Sequence, residues 1–145
     1  MTETTPEQVR LTADTAIFAE DDDQLYVLVI RRGSGPFEGY WALPGDYLGP
    51  DEDVMEATHR TLRQQTGLIV ASVRLVGVYA DPGRDPRGRL VSFAYTTRLA
   101  GLIEPIAAGD AVEARWMPVD EALCVPNRLA FDHYRIVHDA LPIIV

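Results

Sequence analysis

The stretch GDYLGPDEDVMEATHRTLRQQTGL, residues 45–68, constrains this chain more than any other, because it reads as a loop running into one central helix. Asp51 to Asp53 put negative charge at the helix start, where the backbone dipole favours it. Gly67 lies just past the end as the expected stop, so a helix is predicted over 53–66. At about 100° per residue, Met55, Thr58, Leu62 and Thr66 share one side with Val54 beside them, a thin apolar stripe suited to packing on a sheet. Ala57, Thr61, Gln64 and Gln65 form an adjoining face that carries no charge. Glu56 and Arg60 stand four apart in the acid-first order, which adds roughly 0.2–0.5 kcal/mol on an exposed helix.

Strands surround this helix. LTADTAIFA (11–19) and QLYVLVIRR (24–32) are rich in β-branched and apolar residues, and the acidic run Glu20–Asp23 between them reads as a hairpin turn. GSGPFEGYWALPGD (33–46) reads as a loop with a short strand. Residues 69–80 and 89–99 predict two more strands joined by the polar loop DPGRDPRG, and residues 113–118 another, followed by a helical turn after Pro118. LAFDHYRIVHDAL (129–141) has the spacing of a final amphipathic helix. Strands outnumber helices, which suggests a mixed sheet with helices on its faces.

Composition narrows the partners. At 145 residues, with 47% hydrophobic and 24% charged residues, the chain fits one globular domain over 11–145. Residues 1–10, MTETTPEQVR, read as a flexible lead-in without the features of a signal peptide. No stretch approaches the roughly 20 apolar residues of a membrane span, so a membrane partner is not expected. A net charge of −9 repels a phosphate backbone, and with the chain ending at Val145 no nucleic-acid partner is expected either. The single cysteine, Cys124, allows no intrachain disulfide, which suits a cytoplasmic location, and reads as a packing thiol. His59, His133 and His138 share no ligand spacing and read as ordinary helix residues.

Residues 46–68 resemble the signature box of the Nudix hydrolases: Gly, five residues, Glu, seven residues, then Arg-Glu-apolar-x-Glu-Glu-x-Gly-apolar. Glu52, Arg60, Leu62, Gly67 and Leu68 match, whereas Asp46 stands on the first glycine and Thr61, Gln64 and Gln65 on three glutamates. RRGSGPFEGYWALPG, VGVYADPGRDPRGRLVSFAYTTRL, EARWMPVDEAL and LAFDHYRIVHDAL extend the resemblance across the chain, towards the branch that handles ADP-ribose and its related regulators. The fold implied is α/β, an α/β/α sandwich around a mixed sheet. In the family the missing glutamates hold magnesium, while the residues matching Glu52 and Arg60 brace the loop against the helix.

Magnesium demands near-octahedral oxygen ligands, and a glutamine amide offers only a dipole. Two unit charges at about 4 Å gain roughly 4 kcal/mol at an effective dielectric near 20, so losing three carboxylates weakens a metal site by several kcal/mol. The expectation is a box without a confident catalytic or metal residue, with Asp46 and Glu113 (and Asp110 before it) as candidate substitute carboxylates, and magnesium or manganese needed only if the chain is active. The resemblance implies a ligand site at Arg31, Trp41, Asp81, Arg84, Asp85 and Arg87, with Tyr40 beside Trp41 for stacking and Arg32 as an alternative to Arg31. The expected function is binding of an ADP-ribose-like nucleoside diphosphate with weak or no hydrolysis. The alternatives are an active metal-dependent pyrophosphohydrolase using substitute carboxylates, and a non-catalytic interaction module, for example a homodimer.

Overall fold

The computed structural model describes residues 5–144; the first four residues of the expected lead-in lie outside the described residues. The chain runs β1 (Arg10–Asp21), β2 (Gln24–Arg32), β3 (Trp41–Ala42), β4 (Gly45–Tyr47), α1 (Val54–Thr66), β5 (Arg74–Tyr79), β6 (Leu90–Leu99), β7 (Ala111–Pro118), α2 (Val119–Leu123) and α3 (His133–Ile144). The sheet order is β3-β2-β1-β6-β5, with β4 also on β1 and β7 also on β2. Among the described strands β1 and β6 pair in parallel, and the crossover between them carries α1. The β1–β2 turn sits on Asp22 and Asp23 at φ 51° and 63°, the left-handed conformation that aspartate tolerates better than most residues.

Both sheet faces are covered. Residues 12–19 of β1 are buried without interruption, as a strand sandwiched between helical layers requires. Ala16, Phe18, Val27 and Val29 join Ile136, Val137 and Ala140 of α3 in one core cluster. Ile17 and Leu28, on the opposite face, join Leu62 of α1 in the other.

Helix α1 is capped as its ends suggest. The Asp53 side chain accepts the Glu56 N–H at 2.8 Å, and Gly67 at φ 73° closes the far end by donating to the Arg63 carbonyl at 3.0 Å. Its buried face is rotated from the expected stripe: Met55 is 42% exposed, while Ala57, Thr58, Thr61, Leu62, Gln65 and Thr66 are buried. The threonines tolerate burial because their hydroxyls bond back to the helix, Thr58 to Val54, Thr61 to Thr58 and Thr66 to Leu62.

Several boundaries differ from expectation: β1 runs on through Glu20 and Asp21, which pair with Leu25 and Gln24, so the turn narrows to Asp22 and Asp23, and β7 starts at Ala111. Residues 129–132 are outside α3: Ala130 N–H donates to the Trp41 carbonyl at 2.8 Å and Phe131 adopts φ 55°, so β3 captures this segment before the helix begins. Residues 69–73 precede β5, with Ile69 largely exposed and Val70 buried.

One feature of the sheet makes room for a site. β1 and β2 are paired at their hairpin end, from Phe18–Val27 to Asp21–Gln24. Further along, β4 pairs with β1 at Thr12–Asp14 and β3 pairs with β2 at Ile30–Arg31. The two strands splay, and a cleft opens between them.

Candidate functional site

A cavity of about 260 Å³ occupies this split. β1 contributes Thr12 and Asp14, β2 contributes Ile30 and Arg32, β4 contributes Gly45, Asp46 and Tyr47, and α1 contributes Gln65. The DPGRDPRG loop supplies Arg84, Asp85 and Arg87, while Phe131, just before α3, and His133, its first residue, close it.

The loop arginines are held in place. Arg84 forks onto Asp132 at 2.6 and 2.9 Å, and Arg87 forks onto Asp85 at 2.7 and 3.0 Å. Burial pushes the Asp85 carboxyl up, but the side-chain and backbone hydrogen bonds from Arg87 outweigh it and leave the group below its usual range. Arg32 is different. It is half-buried, its Nε donates to the Pro36 carbonyl at 2.8 Å, and it forms no ion pair among the described residues. Its guanidinium lies 4.9 Å from the Phe131 ring centre, and that of Arg87 lies 5.5 Å from the same ring. Burial, and then the charge on Arg87, pull Arg32 below the ordinary guanidinium range. Two close cations, one of them unpaired, favour an incoming anion.

The box residues form a brace beside the cleft. Arg60 reaches Glu52 at 2.7 and 2.9 Å and the Tyr47 carbonyl at 2.8 Å, while Glu52 accepts the Gly49 N–H at 2.8 Å. The Arg60 hydrogen bond and then the Gly49 N–H hold the Glu52 carboxyl at about 2. The three positions where glutamates are missing are spent elsewhere. Thr61 is buried on its own helix, Gln64 accepts from Arg60 at 3.0 Å, and Gln65 exchanges two hydrogen bonds of 2.9 Å with the Gly45 backbone. Among the described residues no group of three or more His, Cys, Asp or Glu side chains is arranged to hold a metal ion. Asp46 faces the cleft, but its Oδ1 accepts the Tyr47 N–H at 2.8 Å as in a turn. These residues do not fit the magnesium site that the family resemblance implies.

Of the other candidate residues, Arg84, Asp85 and Arg87 meet in the cleft, whereas Arg31, Trp41, Asp81 and Glu113 lie outside it. Arg31 pairs with Glu113 at 3.3 Å across β2 and β7, both partly exposed. Alternation along β2 sends Arg32, not Arg31, into the cleft. Trp41 is covered by the Arg115 guanidinium at 4.9 Å, and Asp81 pairs with Arg135 at 2.9 Å on another surface.

Sequence reasoning missed Asp14, Phe131 and His133. Asp14 did leave a signal, a lone carboxylate inside the apolar strand LTADTAIFA. His133, read as an ordinary helix residue, is buried in the cleft wall, with Nδ1 accepting the Leu43 N–H at 3.0 Å. Burial holds its imidazole below the ordinary range despite the opposing pull of Asp14 and Asp132.

Comparison with known proteins agrees with this architecture. The chain is 40% identical over 113 residues to an ADP-ribose pyrophosphatase from Methanocaldococcus jannaschii, covering 78% of this chain and 64% of that protein. It is 33% identical over 132 residues to the ADPR responsive transcriptional repressor NtrR of Acinetobacter baylyi, covering 90% of this chain and 52% of that protein. It therefore spans less than two thirds of either relative. The NUDIX domain of Shewanella oneidensis NrtR, solved in complex with ADP ribose, matches it with a TM-score of 0.86 at 28% identity, over 94% of this chain and 89% of that one. The NUDIX domain model matches residues 9–140, from the start of the sheet into the last helix, and this chain belongs to the NUDIX domain family.

Proposed function

We propose that the cleft binds a nucleoside diphosphate linked to a sugar, with ADP-ribose the leading candidate, and that it hydrolyses this ligand weakly or not at all. The observation that carries the binding half is Arg32: a half-buried, unpaired guanidinium pressed towards Arg87 over the Phe131 ring. A diphosphate there would relieve the repulsion between the two cations and accept charge-assisted hydrogen bonds from both. The names of the relatives, an ADP-ribose pyrophosphatase and an ADPR responsive repressor, and the ADP ribose complex of the NrtR domain support the same ligand class.

The weak-hydrolysis half rests on the Gln65 amide. Diphosphate cleavage in water needs a nucleophile generated and aligned against the phosphorus, work that clustered carboxylates perform through a metal. Here the amide is consumed by the Gly45 backbone, and its neighbours Thr61 and Gln64 are likewise engaged. What this chain's residues can do is bind, orient and partly desolvate a diphosphate.

Calorimetric titration with ADP-ribose, with and without magnesium, tests the reading. Binding that magnesium does not strengthen is the expected result; no binding of any nucleoside diphosphate removes it. A second reading, an active pyrophosphohydrolase, is favoured by two exposed carboxylates on the cleft lining, Asp46 and Asp110. Assays for the nucleoside monophosphate released from sugar nucleotides in magnesium or manganese separate the two, since turnover of about 1 s⁻¹ or more is ordinary enzyme behaviour.

A further inference from the structure

Asp14 is 7% exposed, within a strand segment that is otherwise apolar or threonine. Its two oxygens are served unequally. Oδ2 accepts a hydrogen bond from the hydroxyl of Ser92, which is itself fully buried on the neighbouring strand β6. Oδ1 receives no hydrogen bond from the described residues, and His133 Nε2 stands 3.7 Å from it, close but not in reach. Because His133 Nδ1 accepts the Leu43 N–H, the neutral ring carries its proton on Nε2, facing this carboxylate. The opposite wall is glycine: a Cβ on Gly45 would come within 2.1 Å of Oδ1, so the bare backbone leaves space for this oxygen beside the cleft.

Since no group among the described residues donates to Oδ1, the oxygen depends on what fills the cleft, water or a ligand, for its donor. Asp14 lines the cleft, so an entering ligand can supply it. A diphosphate oxygen is the wrong partner, being itself anionic and without a proton. A hydroxyl is neutral and donates. We propose that Asp14 Oδ1 accepts a hydrogen bond from a sugar hydroxyl of the ligand, making the cleft selective for sugar-bearing diphosphates over bare diphosphate. This deepens, and rests on, the reading of the cleft as a sugar-nucleotide site. The same carboxylate opposes a lone anion, since its negative charge acts on Arg32, Arg84 and Arg87 in the same cleft. Asp14 thus favours one half of the ligand and disfavours the other half when presented alone.

The test measures ADP-ribose and inorganic pyrophosphate binding to the full chain and to Asp14→Asn by calorimetry. The expected signature has opposite signs: ADP-ribose weakens about tenfold or more, the loss of one charged hydrogen bond, while pyrophosphate binds as well or better. An ADP-ribose affinity within about twofold of the unmodified chain, or an equal loss for both ligands, overturns the role of Asp14 and leaves the sugar-nucleotide reading standing. Should Asp14→Asn not fold, the unmodified chain decides with forms of ADP-ribose each lacking one sugar hydroxyl. One of them is expected to bind about tenfold more weakly, and equal binding of all overturns the proposal. A chain that binds pyrophosphate but not ADP-ribose removes the sugar-nucleotide reading and this inference together.

Discussion

The side-chain amide of Gln65 closes a ring with the backbone of Gly45, its Oε1 accepting the Gly45 N–H and its Nε2 donating to the Gly45 carbonyl, both at 2.9 Å. One turn of α1 is thereby stitched to β4 at the edge of the cleft. A glutamate at this position would keep the first bond and set its second oxygen against the carbonyl. Gln65→Glu is therefore expected to destabilise the fold by about 1–3 kcal/mol at neutral pH. Protonation restores a donor, so the penalty should shrink as pH falls towards the carboxyl range. Thermal melts of the variant from pH 7 to 4 check this; a penalty independent of pH would show that the ring contributes nothing.

Arg32 and Arg31 are sequence neighbours with different surroundings, one in the cleft and one paired with Glu113. Arg32→Ala should lower ADP-ribose affinity about 10- to 100-fold, the range expected for losing charge-assisted hydrogen bonds. Its melting temperature should hold or rise, because burial and Arg87 already strain this guanidinium. Arg31→Ala should bind like the unmodified chain. Equal effects of the two substitutions in calorimetry would contradict the assignment.

His133 should make stability pH-dependent on the acid side of neutrality. An imidazole in the unfolded chain titrates near 6.5, and burial lowers the folded value. Asp14 and Asp132 oppose that lowering, while Arg84 and Arg32 reinforce it. Just below about pH 6.5 the unfolded state binds protons that the folded state refuses, so stability falls as pH drops through this window. His133→Gln removes the titration and should flatten the melting temperature between about pH 6.5 and 5. A slope that the substitution leaves unchanged assigns the effect to other groups.

Glu52 should act lower on the scale. With its carboxyl held at about 2 by Arg60 and the Gly49 N–H, the folded state keeps this group ionised where the unfolded chain protonates it. The resulting stabilisation is complete above about pH 4.5 and disappears as pH falls towards about 2. Glu52→Gln should melt at a lower temperature at neutral pH and show a shallower acid decline. Parallel acid-melting curves for the two proteins would refute the brace.

What the sequence determined by itself was local. Apolar runs placed β1 and β2 with the turn inside the acidic run, at Asp22 and Asp23, and the charge of Asp51 to Asp53 and Gly67 bounded α1, because caps, turns and periodicity act through residues only a few positions apart. The glutamate-free helix face was equally legible, and the family resemblance implied the tie between Glu52 and Arg60. Tertiary structure decided which residues meet. Alternation along β2 put Arg31 and Arg32 on opposite faces, but the splaying of β1 from β2 decided which face meets a cleft. Capture of residues 129–132 by β3 delayed α3 and set Phe131 and His133 in the cleft wall. The parallel pairing of β1 with β6 brought Ser92 to Asp14, and α3 brought His133 to the same carboxylate from the far end of the chain. Such contacts depend on how sheet twist and layer packing bring distant segments together, and no short-range pattern of residues encodes that.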